Sequence, residues 1–431
     1  MKFYKIKNNI CCSFERDLPF PETEEDERAD VSVFLFRRDP RVSRTSFRVT
    51  SSDLLFQEKE DATWLSSRLL EQQAGQKEDV DREVMGAISA GRLRAVNLAS
   101  PRFMDALAGN LLGLTEIYSS RVTTAKKVVH ILAIGDVGSH LLTGLHLLGG
   151  DVISRIGICD IDDKVTARWE FEENQISYPW DYDRLPEVYV VDRSHLFDCD
   201  VFVFVASAGI PAVGSGVKDV RMFQLEKNRK IIAEYAKQAR EAHFRGLFCE
   251  VADPVDPLAQ EAFLASNRDE NGKFDGKGLL PEQIQGYGLG VMNARAAYFA
   301  KRNPDMRQFL TEGRTFGPHG QDLVVADSIA NYHDGISRKL TELTVTANLQ
   351  MRALGFKPFV APAYSSGALS ILLTLRGEWH CGSIFLGGIY MGVKNRYTPY
   401  GQEHEILPLP DALFARIRTA EEHLHELDPA E

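Results

Sequence analysis

The sequence predicts an α/β protein: a doubly wound parallel sheet, an α+β domain after it, and an extra α/β domain in front. Three observations carry that expectation. From Lys126 onward, apolar runs of strand length alternate with stretches of helical apolar spacing, as repeated βα units require. The first run ends in a glycine-bearing turn and the second ends in an acid. The chain has 431 residues, enough for two or three domains that each bury a core.

Residues 1 to about 125 read differently from the rest. Val31–Phe36 (VSVFLF) has strand composition, and helical patterns follow near 61–73, 81–90 and 100–114. The last has Ser100 at the N-cap and Pro101 at the first helical position, where a missing N–H costs nothing. No catalytic motif and no internal repeat occur here, so an accessory or oligomerisation role is expected. Lys127–Ile134 (KVVHILAI) then reads as a strand buried on both faces. It ends in Gly135-Asp136-Val137-Gly138, before helical spacing over 139–148. Further strands are expected at 152–159, 188–191, 201–206 and 247–251, with a helix over 219–242. Polar Asn267–Gly278 is a surface loop. It is no calcium loop, because Phe274 and Leu280 stand where an EF-hand needs Gly and Glu. The domains expected are 1–125 accessory, 126–286 dinucleotide-binding and 287–431 catalytic.

Composition narrows the function classes. Fifty Lys+Arg against 61 Asp+Glu leave a net charge of −11, which argues against nucleic acid or an anionic membrane as the main partner. Six cysteines without a CxxC pair suit a reduced, cytoplasmic protein and neither a disulfide scaffold nor a metal site. The N-terminal MKFYKIKNNICCSFERDLPF lacks a signal peptide's apolar segment. The long uncharged runs at 201–217 and 358–375 are interrupted by Gly and Pro, so no membrane span is expected.

The turn after the first strand of the repeat is Ala133-Ile134-Gly135-Asp136-Val137-Gly138, or AxGxxG. Gly135 lets a backbone approach a pyrophosphate, Gly138 lets helix and strand pack closely, and the helix N-terminus offers free N–H groups. Asp160 follows Gly138 by 22 residues at a strand end, placed to accept ribose hydroxyls. An acid there favours NAD over NADP, because it repels a 2′-phosphate.

From Lys126 onward the chain resembles the lactate/malate dehydrogenase superfamily. GDVGSHLL (135–142), ASAGIP (206–211), RMFQLEKN (221–228), DPVDPLA (253–259), GYGLGVMNAR (286–295), GPHG (317–320) and GGIYMGV (387–393) match that family's motifs in order. The resemblance implies a Rossmann-type sheet plus an α+β catalytic domain, an NAD cofactor whose site includes Ala206 and Gly209, and a homo-oligomer. It implies hydride transfer to or from a 2-oxo/2-hydroxy acid. His319 would be the acid/base, Arg295 the carboxylate clamp, and Arg221 the cation over the reacting oxygen.

The departures from the family are equally informative. Met292 stands where the family has the aspartate that orients the histidine, and a thioether can neither accept that proton nor balance an imidazolium. Asp253 stands where the family has asparagine, which makes it the candidate relocated carboxylate, with Asn293 the weaker alternative. In the substrate loop, Ala212 or Val213 falls where malate enzymes carry an arginine. Malate is therefore disfavoured, while Lys218 offers a polar contact and Val360–Ser366 an apolar lining. The alternative reading is a catalytically impaired NAD-binding homologue with a regulatory or interaction role.

Overall fold

The computed structural model describes residues 1–74, 80–108, 126–208, 220–357 and 360–427. An N-terminal mixed sheet has the order β1 (Lys2–Ile6), β2 (Asn9–Ser13), β3 (Val31–Phe36), β5 (Arg94–Asn97) and β4 (Ser46–Arg48). With it lie α1 (Ser67–Gln73), α2 (Arg82–Ser89) and α3 (Phe103–Ala108). The helix expected over 61–73 is broken. Residues 62–65 form a 3₁₀ turn and Ser66 is extended, bridging to Leu407, so α1 begins only at Ser67. The helix expected over 100–114 is described only at 103–108. The Ser100 hydroxyl accepts from the Arg102 N–H at its start, and residues 109–114 lie outside the described residues.

The main sheet has nine strands. β6 (Lys127–Leu132), β7 (Ile153–Cys159), β8 (Glu187–Val190), β9 (Val201–Phe204), β10 (Leu247–Glu250) and β11 (Ile284–Gly286) are parallel, in the spatial order β8-β7-β6-β9-β10-β11. The order reverses between β6 and β9, and such a switch point opens a crevice at the carboxyl ends of the strands. Its crossovers include α4 (Asp136–Leu148), α5 (Asp163–Glu173), α6 (Val220–Glu241) and α7 (Val255–Ser266). α4 starts three residues before the expected 139, because Gly135 caps it and Asp136 enters its first turn. The apolar strands bury both faces: Val129, Ile131 and Val203 pack on one, and Phe202, Phe204 and Phe248 on the other.

The sheet continues without a break past residue 286. After α8 (Leu289–Ala300), the β12 (Arg314–Phe316) and β13 (Val324–Ala326) pair, α9 (Asp334–Ala353) and α10 (Leu369–Leu375), the chain adds three antiparallel strands. These are β14 (His380–Leu386), which pairs with β11, then β15 (Ile389–Thr398) and β16 (Gly401–His404); α11 (Asp411–Glu426) follows.

The N-terminal sheet lies against this far edge. One apolar core holds Phe34, Phe47 and Trp64 together with Phe316, Ile384, Met391 and Leu413. Arg48 on β4 pairs with Glu403 on β16 at 2.7 Å. Beneath them, Arg44 and Glu60 form an ion pair whose side chains are both fully buried. Glu282 accepts from the N–H groups of Thr45 and Ser46 and from the Ser46 hydroxyl. Glu421 on α11 accepts from the Ala62 N–H. Burial pushes both acids up, to about 7.

Two outcomes follow from these buried charges. Glu60→Ala leaves the Arg44 guanidinium uncompensated and lowers stability by roughly 3–5 kcal/mol, read from the urea midpoint. Glu282 and Glu421 have unfolded values near ~4.3, so their contribution to stability is fully present below about pH 4.3 and lost as pH rises through about 7. Glu282→Gln should therefore flatten the fall in thermal midpoint between pH 5 and 8; a slope equal to that of the unmodified chain refutes this.

Candidate active site

The carboxyl edge of the parallel strands gathers the residues that carry chemistry. After β6 the chain turns through Ala133, whose φ of 75° takes the left-handed conformation that glycine adopts most cheaply. A Cβ on Gly138 would lie 2.0 Å from the Ala133 carbonyl oxygen, so this position admits only glycine. A Cβ on Gly135 would face open space, which leaves the backbone at the α4 N-terminus clear for a ligand. Asp136 sits in that first turn and pairs with Lys357, while Val137 is partly buried beside it. Asp160 ends β7, and its carboxylate accepts from the Ile134 N–H at 2.6 Å, so the acid and the glycine turn form one unit.

The neighbouring strand end is braced by Asn228, which is fully buried on α6. Its amide oxygen accepts from the Ala208 N–H, and its nitrogen donates to the Asp253 carbonyl and the Ser207 hydroxyl. It thus ties the turn after β9, where Ala206 lies, to the loop after β10. Gly209, Ala212, Val213 and Lys218 lie outside the described residues. Arg221 lies in the first turns of α6, whose backbone alone is described there.

His319 lies in the turn between β12 and β13 and is partly buried. Its backbone N–H donates to Asp256 at 3.0 Å, and its Nδ1 meets the Gly288 carbonyl at 2.9 Å. A carbonyl only accepts, so Nδ1 carries the proton and Nε2 is left for another partner. A Cβ on Gly288 would lie 2.7 Å from the His319 Cβ, so glycine there is what allows the close approach. Asp256 is buried and also accepts from the Ser383 hydroxyl on β14. Burial pushes its carboxyl up to about 6, against the lowering effect of those hydrogen bonds.

This geometry corrects the expectation for Asp253. Nδ1 of His319 is engaged by a backbone carbonyl, and Asp253 is exposed at the end of the loop after β10, with Arg295 in its field. Its charge acts on the arginine rather than on the imidazole. Asn293, the weaker candidate, also leaves Nδ1 to Gly288. Val360–Ser366 also serves the packing of the helices. Residues 364–368 form a π turn wedged between α4 and α8, with Gly144 and Gly290 allowing the contact, so much of the segment is packing.

Gly288 caps α8, and Arg295 lies seven residues further along, on the same face two turns on. Its guanidinium reaches back toward the helix start, as helical side chains do, and Nη1 donates to the Met292 sulfur at 3.7 Å. No carboxylate among the described residues lies in salt-bridge range of Arg295, and burial holds its pKa below the ordinary value, partly offset by Asp253. Sequence reasoning did not assign Asp256, Gly288, Asn228 or Ser383, although the first three lie inside the quoted motifs DPVDPLA, GYGLGVMNAR and RMFQLEKN.

No family model matches the chain. L-lactate dehydrogenase of Streptococcus pyogenes serotype M1 is 26% identical over 212 residues, which cover 49% of this chain and 58% of that enzyme. The match thus spans under two thirds of the relative's length. A minor L-lactate dehydrogenase from Enterococcus mundtii, in a ligands-bound form, superimposes with a TM-score of 0.56 at 15% identity, covering 70% of this chain and 97% of that one. Malate dehydrogenase from Picrophilus torridus in its apo form gives 0.56 at 17% identity, with 70% and 96% covered. Malate dehydrogenase from Archaeoglobus fulgidus in complex with NADH gives 0.53 at 19%, with 70% and 98% covered. The chain shares the Rossmann-type fold of these lactate and malate dehydrogenases, and the part-length sequence match is to an enzyme of the same kind.

Proposed function

We propose that the chain is an NAD-dependent oxidoreductase that interconverts a 2-oxo and a 2-hydroxy acid other than malate. The observation that carries the reading is His319 held against the start of α8 and Arg295 two turns along that helix: among the described residues, the imidazole has Nε2 unengaged and the half-buried guanidinium has no carboxylate in salt-bridge range. NAD fits the residues present. Gly135 leaves the backbone clear, the α4 N–H groups face the pyrophosphate position, and Asp160 stands at the neighbouring strand end for the ribose. When bound, the nicotinamide supplies or takes up the hydride.

The rest of the chemistry belongs to this chain. Arg295 clamps the substrate carboxylate with its planar fork, in a site dry enough to strengthen the pairing. His319 gives a proton from Nε2 to the carbonyl oxygen during reduction and takes it back during oxidation, while the Gly288 carbonyl holds the ring in place. Arg221 supports the negative charge that develops on that oxygen. Ala212 and Val213 offer no cation for a second carboxylate, and Lys218 remains a candidate polar contact. A cytoplasmic homo-oligomer is proposed, without nucleic-acid or membrane partners. The second reading, an impaired NAD-binding homologue, is favoured by Met292, since the His319 ring Nδ1 meets a backbone carbonyl where the resemblance implies a carboxylate.

NADH titration followed by a 2-oxo-acid panel separates the two. Turnover that excludes oxaloacetate supports the enzyme; binding without turnover supports the homologue. In an active enzyme, His319→Asn lowers kcat about 10²–10⁴-fold while NADH affinity holds. Asp253→Asn removes the charge that competes for Arg295, so KM falls about 2–10-fold with kcat nearly unchanged. A large loss of kcat in that variant would restore Asp253 as the histidine's partner.

A further inference from the structure

The N-terminal residues meet the parallel-sheet domain a second time, far from the carboxyl edge. α6 runs for 22 residues, ~33 Å, away from the glycine turn, and its last turn reaches the opposite edge of the sheet. There a pocket of about 140 Å³ is lined by Arg102 and Asp105 at α3, Arg240, His243 and Arg245 at the end of α6, and Lys277 in the polar loop before β11. At ~30 Å³ per water, it has room for a phosphoryl group or two.

The walls are built closely. A Cβ on Gly276 would lie 2.9 Å from Pro101, and Arg102 donates to the Gly278 carbonyl. Arg240 is neutralised by Asp275 through two hydrogen bonds of 2.8 and 2.7 Å. Asp105 accepts from both Arg102 and Arg245. Among the described residues, Arg102, Arg245 and Lys277 are opposed by Asp105 in direct contact and, without a bond, by Glu282 beside Arg102 and by Asp275, which Arg240 already engages; the pocket lining itself is cationic on a chain of net −11. Burial, with Arg245 beside it, holds the Arg102 guanidinium below its ordinary pKa, as expected of cations crowded together without enough counter-charge. The helix end that would repel an anion is covered, since the carbonyls of Gln238, Ala239 and Arg240 accept from the N–H groups of Ala242, Phe244 and His243.

We propose that this pocket binds a small phosphorylated anion, which joins the N-terminal segment to the α6 end of the sheet domain. Arg245 and Lys277 are the exposed donors, and Arg102 is the fixed wall. The site is separate from the dinucleotide turn and stands whether or not the chain turns over a 2-oxo acid.

The test uses the full chain and inorganic pyrophosphate as probe, with sodium chloride at matched ionic strength as control. Pyrophosphate should raise the thermal midpoint above the control. Arg245→Gln with Lys277→Gln, both at exposed positions, should weaken that affinity about 10-fold or more while the NADH titration is unchanged. No rise above chloride overturns the proposal. So does an undiminished rise in the double variant, which would place the anion elsewhere, the α4 N-terminus included.

Discussion

Asp256 fixes where the imidazole can be. Its carboxylate is buried where α7 begins, and it accepts at once from the histidine turn and from β14. A turn between two three-residue strands has little to hold it by itself, because loop backbone is ordinarily the least constrained part of a fold. Here that turn is tied to the sheet through a side chain from the β10 crossover and to α8 through the Gly288 carbonyl. The close contacts at Gly288 and Gly392 then remove the remaining play, since a Cβ on Gly392 would sit 2.4 Å from the Gly317 carbonyl oxygen. Preorganisation of this kind fixes the direction of Nε2 before any ligand arrives.

The N-terminal residues are bound to the same framework through charge as well as apolar contact. A nine-stranded sheet ending in β16 would expose an edge, and edges invite unwanted pairing. β4 lies alongside that edge, with the Phe47 and Gly401 backbones in contact, and Trp64 and Phe47 complete a core shared with β14, β15 and α11. Glu282, immediately before β11, reaches into this junction and meets Thr45 and Ser46. Its neutral form is the cheaper one to bury, which couples the junction to proton uptake. The description of residues 1–125 as an accessory module therefore needs an added element: within the described residues, their apolar interior is continuous with that of the C-terminal segment.

The alternation of strand and helix from Lys126 was legible because a parallel strand buried on both faces leaves a near-continuous apolar run, as Val201–Phe204 does and as Val128–Leu132 does apart from His130. The glycine turn was legible because the steric demand at Gly138 leaves a mark in the sequence itself. Arg44, Glu60 and Glu282 were not, since a buried ion pair and a solvated one look alike in sequence; only the fold reveals that all three are covered. Asp256 was hidden for a related reason. Its partners are a backbone N–H 63 residues away and a hydroxyl 127 residues away, and no local periodicity encodes such a pairing. At Asp253 the reading found the unusual residue but gave it the wrong neighbour, because a carboxylate was sought for the histidine when a carbonyl already filled that place.

The two substitutions at the site are best understood together. Relative to the resembling family's pattern, position 292 loses a carboxylate and position 253 gains one, so the number of acids near His319 and Arg295 is conserved while their placement is not. The Gly288 carbonyl orients the imidazole through Nδ1, and the buried Asp256 carboxylate holds the same residue by its backbone N–H. Arg295 gains what the histidine lost: a nearby negative charge, with soft sulfur rather than oxygen in direct contact. In the proposed chemistry this shifts the burden between the two residues. A carboxylate substrate must displace the influence of Asp253 to reach the guanidinium, while the imidazole that serves the carbonyl oxygen keeps the direction that Gly288 and the Asp256-tied turn give it.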